Sequence, residues 1–207
     1  MTKAASPGRP SKANQRLSRQ LIVKTALPIV QDEGVDALSF RMLADRLEVT
    51  PMAVTYHAGN KKQLLSDLVE HAFAGVLDGV DGDTPIERAR SIMATYYGYA
   101  LKNANLLRVL LEDVTLMSAD LSDVAANLKA STDQLEYSDG GDVLVHLLID
   151  YAHGFVLSAS SGANNSLTTE DYLRGVDWIL NRAAGNRETI KRKTRASEVR
   201  STDILST

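Results

Sequence analysis

Cysteine is absent from the 207-residue sequence. This absence excludes disulfide bonds, thiolate zinc sites and a cysteine nucleophile, and it fits a reducing compartment. Strand signals are scarce as well, because no alternating apolar and polar run rich in β-branched residues lies between turn residues. The sequence therefore predicts an all-helical protein.

Long apolar runs are also missing. The nearest candidate, VLVHLLIDYAHGFVLSA, is interrupted by His146, Asp150 and His153, so no membrane span is expected. The N-terminal stretch MTKAASPGRPSKANQRLSRQ is basic but lacks the apolar segment of a secretory signal. A cytoplasmic protein is therefore predicted.

Positive charge is not in overall excess, since the formal net charge is −3. Residues 1–65 nevertheless carry ten Lys and Arg against five Asp and Glu, a net charge of +5. Residues 66–190 have a net charge of −11 and residues 191–207 a net charge of +3. A basic end joined to an acidic middle predicts a polyanion-binding module linked to a part with another role.

Apolar residues recur at helical spacing along most of the chain. The first helix is expected over 18–32, with Pro28 causing a bend or a later start. Its expected buried stripe comprises Leu21, Ile22, Thr25, Ala26, Ile29 and Val30, and Gly34 is its stop. Further helices are expected over 40–47, 51–57, 61–78, 85–103, 104–112, 118–135, 141–160 and 168–184.

The third of these helices, in the segment TPMAVTYHAGN, is too short to be stable alone. Thr50 is its expected N-cap and Pro51 its first residue. It follows a helix capped by Ser39 after a three-residue turn, which is the spacing of a helix-turn-helix whose second helix enters the DNA major groove. A tight corner of an all-α protein is the alternative interpretation.

Side chains with the chemistry of DNA contact surround this corner. Thr50, Met52 and Thr55 are small or slender enough for a helix in the major groove. Arg41 is placed for the backbone or a base edge, and Lys61 and Lys62 open a helix whose amides favour an anion. The candidate DNA-binding residues are Ser39, Arg41, Thr50, Pro51, Met52, Thr55, Tyr56, His57 and Lys61, with Arg9 and Lys12 in the N-terminal arm.

Several motifs in this part of the chain occur together. They are the Gly34 turn, LSFRMLA from Leu38 to Ala44, the Glu48-Val49 turn, and YHAGNKKQLL from Tyr56 to Leu65. Residues 21–69, which contain them, resemble the DNA-binding domain of the TetR family of bacterial repressors. In that family a Gly commonly replaces Glu48, a Tyr replaces Thr55, and a Phe or Val replaces Ala58.

The resemblance implies that the remainder is a helical domain that encloses a small-molecule pocket and dimerises through its last two long helices. Small residues that let helices approach, and an apolar ridge around Trp178, fit such a seam. The expected dimer residues are Gly154, Ser158, Val176, Trp178 and Ile179. Packing of these helices within one chain is the alternative, although two-fold DNA sites favour dimers.

The effector pocket is expected around the helix 85–103, which is apolar nearly all round. Tyrosines there supply apolar walls with a few polar groups. The candidate pocket residues are Met93, Tyr96, Tyr97, Leu116, Met117, Tyr151 and Phe155. An ordinary core whose tyrosine hydroxyls reach the surface is the alternative.

A metal site is a weaker candidate. His146, Asp150 and His153 share one helix face, but two turns, about 10 Å, separate the two histidines, which is too far for one ion. No metal and no cofactor is therefore predicted.

Together these patterns predict a basic arm (1–17), a three-helix DNA-binding domain (18–67), a larger effector-binding and dimerisation domain (68–187) and a basic tail (188–207). The leading hypothesis is a homodimeric, sequence-specific repressor that binds a palindromic operator in duplex DNA and is released by an unknown small molecule. The alternative is an all-α enzyme or metal-binding protein whose helix-turn-helix only packs. No nucleophile and base pair, phosphate loop or paired carboxylate motif favours catalysis, so the chain is not predicted to be an enzyme.

Overall fold

The computed structural model describes residues 17–135, 142–161 and 167–185, and all regular structure in these ranges is helical, as predicted. The expected arm residues Arg9 and Lys12 and the basic tail lie outside the described residues. The helices are α1 (Arg19–Glu33), α2 (Phe40–Leu47), α3 (Pro51–Ala58), α4 (Lys61–Phe73), α5 (Pro85–Lys102), α6 (Ala104–Glu112), α7 (Ala119–Thr132), α8 (Val143–Ser160) and α9 (169–185). Short 3₁₀ helices span Val35–Ala37 and Val114–Leu116.

The helices form two compact units. Unit 1 contains the described residues up to 72 together with 105–117, and unit 2 contains 73–104 and the described residues from 118 onward. The sequence assigned the segment 105–117 to the second domain. In the structure it groups with unit 1, and the side-chain amide of Asn105 donates to the backbone carbonyls of Val30 and Gln31, at 2.9 and 3.1 Å.

Helix α1 begins and ends as expected, with the Ser18 side chain accepting from the Leu21 amide and Gly34 at φ 88° closing the helix. Pro28 lies within the helix with its side chain exposed, and it neither starts nor ends the helix. Two predicted stripe residues are not buried: Leu21 is exposed and Thr25 is half-buried, while Val23, which was not predicted, is buried. The buried stripe is therefore rotated slightly from the predicted one.

The corner between α2 and α3 is closed by local backbone bonds. The amide of Glu48 donates to the carbonyl of Asp45, and the amide of Val49 donates to the carbonyl of Ala44 at 3.0 Å. This is the Schellman pattern, which requires a left-handed residue after the helix. Glu48 supplies it, at φ 54° and ψ 41°.

Helix α4 is shorter than predicted. It ends at Phe73 rather than near residue 78, although Val76 beyond it is still buried. The chain leaves the helix because Gly75 adopts φ 71°, a conformation that L residues rarely adopt. The helix was predicted too long because the turn after Phe73 also buries an apolar residue, Val76, at helical spacing.

Unit 2 is organised around α5, which packs against α7 and α8. A capping box starts α5, in which the Thr84 side chain and the Glu87 side chain each accept from the other residue's backbone amide. The buried residues of α5 lie on several sides of the helix, as expected for a helix surrounded by others: Ala89, Ile92, Met93, Tyr96, Tyr97 and Ala100.

Helix α8 is continuous from Val143 to Ser160, in agreement with the helix predicted over 141–160. It has 18 residues and a mean hydropathy of 1.4, so by length and composition it is apolar enough to cross a membrane. One side of it is core, since Leu144, Val145, Leu148, Ala152 and Val156 are buried within unit 2.

Candidate functional site

Helix α3 has two faces of opposite character. Val54 and Ala58, one turn apart, are buried in unit 1. On the other face the side chains of Met52 and Tyr56 are 82% and 84% exposed, and Thr55 is exposed between them. Large side chains exposed to this degree do not stabilise the fold by burial, so this face is free to contact a partner.

The capping hydroxyls of the corner remain able to donate. Ser39 Oγ accepts from the Met42 amide and Thr50 Oγ1 accepts from the Ala53 amide, both at 3.2 Å. Each of these bonds uses a lone pair, so the O–H hydrogen is left for an external acceptor such as a phosphate. Thr55 differs, because its hydroxyl already donates to the Pro51 carbonyl at 3.0 Å.

The aromatic pair beside these hydroxyls lies at the end of α3. The rings of Tyr56 and His57 meet edge to face with centroids 5.2 Å apart. The phenol of Tyr56 therefore has a defined neighbour and still presents its hydroxyl to solvent. Both residues retain the polar groups that a phosphate contact needs.

The first turn of α4 is a second element of the site. Asn60 and Gln63 cap each other, since each side-chain oxygen accepts from the other residue's backbone amide at 2.9 Å. The amides of Lys61 and Lys62 then point out of the first turn, where an anion is favoured. This turn therefore combines backbone donors with cationic side chains.

The cations around the site differ in their partners. Arg41 and Lys61 are exposed and form no ion pair with any described residue. Lys62 Nζ, in contrast, lies 2.8 Å from Asp113 Oδ2. The ammonium of Lys62 and the hydroxyl of Thr115 hold the pKa of Asp113 down to about 2. Sequence reasoning did not find Asp113, because no local pattern joins it to α4.

The predicted pocket residues of unit 2 form an aromatic cluster. Tyr97, Tyr151 and Phe155 come together around Tyr172, which the sequence analysis did not include. The ring of Tyr172 lies 4.1 Å from that of Tyr97 and 5.5 Å from that of Tyr151, nearly parallel to both. Its position in an apolar repeat of α9, four residues before Val176, was the signal that could have revealed it.

The rings fill the centre of this cluster. Tyr172 has no exposed surface, and its hydroxyl donates to the Met93 carbonyl at 3.2 Å. Burial raises its pKa well above the usual range, so the phenol stays neutral. Two other predicted pocket residues, Leu116 and Met117, belong to unit 1, where Leu116 is buried and Met117 is 49% exposed.

A cleft of about 320 Å³ lies elsewhere in unit 2. It is lined by residues from the start of α5 and the end of α7: Asp83, Thr84, Pro85, Arg88, Asn127, Ala130, Ser131 and Gln134. None of the predicted pocket residues lines it. The polar cleft and the aromatic cluster are therefore separate parts of unit 2.

The weak metal candidates do not converge. The ring of His153 is engaged by Tyr96, whose Oη lies 2.7 Å from His153 Nε2, while His146 and Asp150 are exposed. Burial lowers the pKa of His153, although Asp150 opposes the shift. Among the described residues no three His, Cys, Asp or Glu side chains are arranged to hold a metal ion.

The predicted dimer residues fall into two groups. Val176 and Ile179 are buried within unit 2, because they lie on the core side of α9. Gly154 and Ser158 on α8 are exposed, and so is Trp178 on α9, by 70% of its surface. The surface open to a partner is therefore the second group.

Comparison with known proteins assigns the N-terminal helices. Residues 22–68 match the family described as bacterial regulatory proteins, tetR family. The tetracycline repressor protein class C of Escherichia coli is 40% identical to this chain over 55 residues, which are 27% of this chain and 25% of the repressor. The chain thus matches about a quarter of that relative's length.

Solved structures agree over most of the chain. The structure of BioQ with its double-stranded DNA operator has a TM-score of 0.64 and 22% identity, and the match covers 82% of this chain and 99% of BioQ. ActR of Streptomyces coelicolor in complex with (S)-DNPA has a TM-score of 0.61 and 19% identity, with 82% and 98% covered. These likenesses show the fold of the chain, and the match over residues 22–68 identifies that segment as similar to the tetR family of bacterial regulatory proteins.

Proposed function

We propose that the protein is a homodimeric, sequence-specific DNA-binding transcription regulator, which acts as a repressor released by a small molecule. One observation carries the proposal: α3 turns Met52, Thr55 and Tyr56 to solvent while its other face anchors it in unit 1. A helix held in this way can enter a major groove without loss of core contacts. The cytoplasm is the corresponding location.

The site divides into positioning and reading groups. The hydroxyls of Ser39 and Thr50, the guanidinium of Arg41 and the ammonium of Lys61 hold phosphates, which fixes the position of α3. Met52 and Thr55 face the bases, where the Thr55 methyl and the Met52 side chain make apolar contacts rather than donate hydrogen bonds. Substitution of a phosphate-holding residue should therefore lower the affinity for all DNA, whereas substitution of Met52 or Thr55 should change the sequence preference.

The comparisons supply further support. A relative that is similar in its DNA-binding segment is named a tetracycline repressor, and a protein of the same fold has been solved with its operator. Another protein of this fold was solved with a small molecule. An effector of this chain binds unit 2, at the aromatic cluster if a ring moves aside or at the polar cleft.

Self-association uses the outer side of α8 and α9. Val143 and Leu147 of α8 are 70% and 49% exposed and continue towards Gly154 and Ser158 at helical spacing. Trp178 of α9 is 70% exposed. Large apolar side chains next to small ones give a helix pair that can pack closely against a copy of itself.

The decisive test is in vitro selection of duplexes bound by the full chain from a random pool. The expected winner is a palindrome whose affinity exceeds that of random DNA by several powers of ten and falls steeply with salt.

Lys61→Gln should weaken binding to all duplexes and lower the salt slope by about 0.9 for each chain bound. Thr55→Ser, which keeps the hydroxyl but removes the methyl, should change sequence preference and leave the slope unchanged. Failure to enrich any sequence would refute the proposal.

Dimerisation is tested by sedimentation equilibrium. Trp178→Ser should raise the dimer dissociation constant by roughly 30-fold or more, because a buried aromatic anchor contributes about 2 kcal/mol or more at an interface. Arg174→Ser, on an exposed residue one turn earlier in α9, is the control and should change it little. Equal effects of the two substitutions would place the seam elsewhere.

A further inference from the structure

Two adjacent lysines at the start of α4 have different electrostatic environments. Lys61 has no ion-pair partner in the part of the chain that the structure describes, whereas Lys62 Nζ lies 2.8 Å from Asp113 Oδ2. Both lysines are exposed, and the side chains of Lys62 and Asp113 retain 59% and 38% of their surface. The local sequence gives no reason for this difference, which comes from the fold of unit 1.

Asp113 is held in place for this contact. Its Oδ1 atom accepts from the Thr115 amide at 3.1 Å and from Thr115 Oγ1 at 2.5 Å, so the carboxylate caps the 3₁₀ helix Val114–Leu116. Its other oxygen, Oδ2, remains for Lys62. A carboxylate fixed through one oxygen presents the second one with little loss of entropy, which favours a persistent contact.

The carboxylate also stays charged under the conditions of a binding assay. Hydrogen bonds from Lys62 and from Thr115 lower the pKa of Asp113 to about 2. From pH 5 to 8, therefore, the negative charge of Asp113 and the positive charge of Lys62 face each other. A DNA phosphate that approached Lys62 would have to compete with this neighbour.

We propose that Asp113 occupies the position of a backbone phosphate on Lys62, so that Lys62 is a latent DNA contact and Lys61 an active one. The inference rests on the proposed function, since it needs α4 to lie beside duplex DNA. Exposed ion pairs of this kind contribute little to stability. Removal of Asp113 should consequently leave the fold intact and give DNA a second lysine at this turn.

The test is a double-mutant cycle on the full chain. Affinity for a random-sequence duplex and for the selected duplex is measured between 50 and 200 mM NaCl for the natural chain, Asp113→Asn, Lys62→Gln and the double variant. Asp113→Asn should tighten binding and steepen the salt slope by about 0.9 for each chain bound, which increases the affinity loss across this range about threefold per chain. Lys62→Gln alone should leave the slope unchanged, and the double variant should return to the natural slope.

The cycle separates the specific contact from a general field effect. If Asp113→Asn tightens binding equally with Lys62 present or absent, loss of a negative charge alone explains the result and the inference is wrong. It is also wrong if Lys62→Gln lowers the natural slope, because Lys62 would then already contact DNA.

Lys61→Gln is the matched control and should lower the slope in both the natural and the Asp113→Asn backgrounds. The proposed function has its own failure: a natural chain that binds no duplex at 50 mM NaCl refutes both proposals. Clear binding with an unchanged slope in Asp113→Asn refutes only the assignment of Lys62.

Discussion

Glu48 is the one position of the described backbone where a non-glycine residue has a positive φ. Its left-handed conformation closes the α2–α3 corner and so determines how α3 is presented. For an L residue this conformation costs about 1–2 kcal/mol relative to the right-handed region. Glu48→Gly removes that cost, but it also gives the unfolded chain more conformational freedom, which offsets about 0.4–1 kcal/mol of the gain. We therefore expect a net stabilisation of roughly 0.5–1 kcal/mol.

Charge has to be separated from conformation in this experiment. Glu48 follows the C-terminus of α2, where a negative charge is unfavourable by about 0.3–1 kcal/mol. Glu48→Ala removes the same charge and keeps the Cβ atom. The informative quantity is the difference between the Gly and Ala variants, and Gly should be the more stable by roughly 0.5–1 kcal/mol.

A matched comparison lies three residues earlier. Asp45 is exposed inside α2 and has ordinary helical geometry, so Asp45→Gly should be less stable than Asp45→Ala by about 0.8–1 kcal/mol. The Ala-to-Gly change thus has opposite signs at positions 45 and 48. This reversal cannot come from a general preference for either residue.

Native-state hydrogen exchange of α1 and α3 amides is the appropriate assay. It reports the opening free energy of unit 1 itself, whereas the single tryptophan, Trp178, lies in unit 2. The reasoning is refuted if Glu48→Gly proves equal to or less stable than Glu48→Ala. Equal signs at positions 45 and 48 would refute it too.

Two further predictions concern unit 2. A Cβ atom at Gly175 would lie 2.1 Å from Tyr151 Oη, whereas one at Gly98 would meet nothing within 4 Å. In urea titration, Gly175→Ala should therefore lower the free energy of unfolding by about 1–3 kcal/mol. Gly98→Ala should raise it by up to about 1 kcal/mol. Burial lowers the pKa of His153, which lies beside Tyr96. The unfolded chain therefore binds the proton at a higher pH than the folded chain does, and the free energy of unfolding decreases as the pH falls below 6.5. His153→Gln should remove this part of the pH dependence between pH 7.5 and 5.5, and an unchanged dependence would assign it to another group.

The elements of unit 1 were predictable because their boundaries are written in adjacent residues. Ser39 and Thr50 are caps that act within one turn, and Gly34 stops α1 through its own conformation. Such effects depend on a few neighbouring residues, so the sequence alone identifies them. The all-helical fold and the short α3 followed directly.

Contacts between distant parts of the chain were not predictable in this way. Lys62 and Asp113 are 51 residues apart, and Asn105 reaches the end of α1 across more than 70 residues. Tyr172 was missed as the centre of the aromatic cluster because ring stacking depends on how three helices meet. A local motif can name a lysine as a candidate phosphate contact, but only the fold shows which carboxylate already faces it.

Helix α8 illustrates a further limit, since its composition fits both a membrane span and a seam between protein chains. The side away from the core decides between them. Besides Val143 and Leu147 it exposes His146, Asp150 and Gly154. Asp and His side chains are costly in hydrocarbon, and a glycine presents little apolar area to lipid. A partner helix, in contrast, can accept the polar groups at a hydrated rim and pack closely over the glycine. The exposed side of α8 therefore fits a second protein surface better than a lipid bilayer.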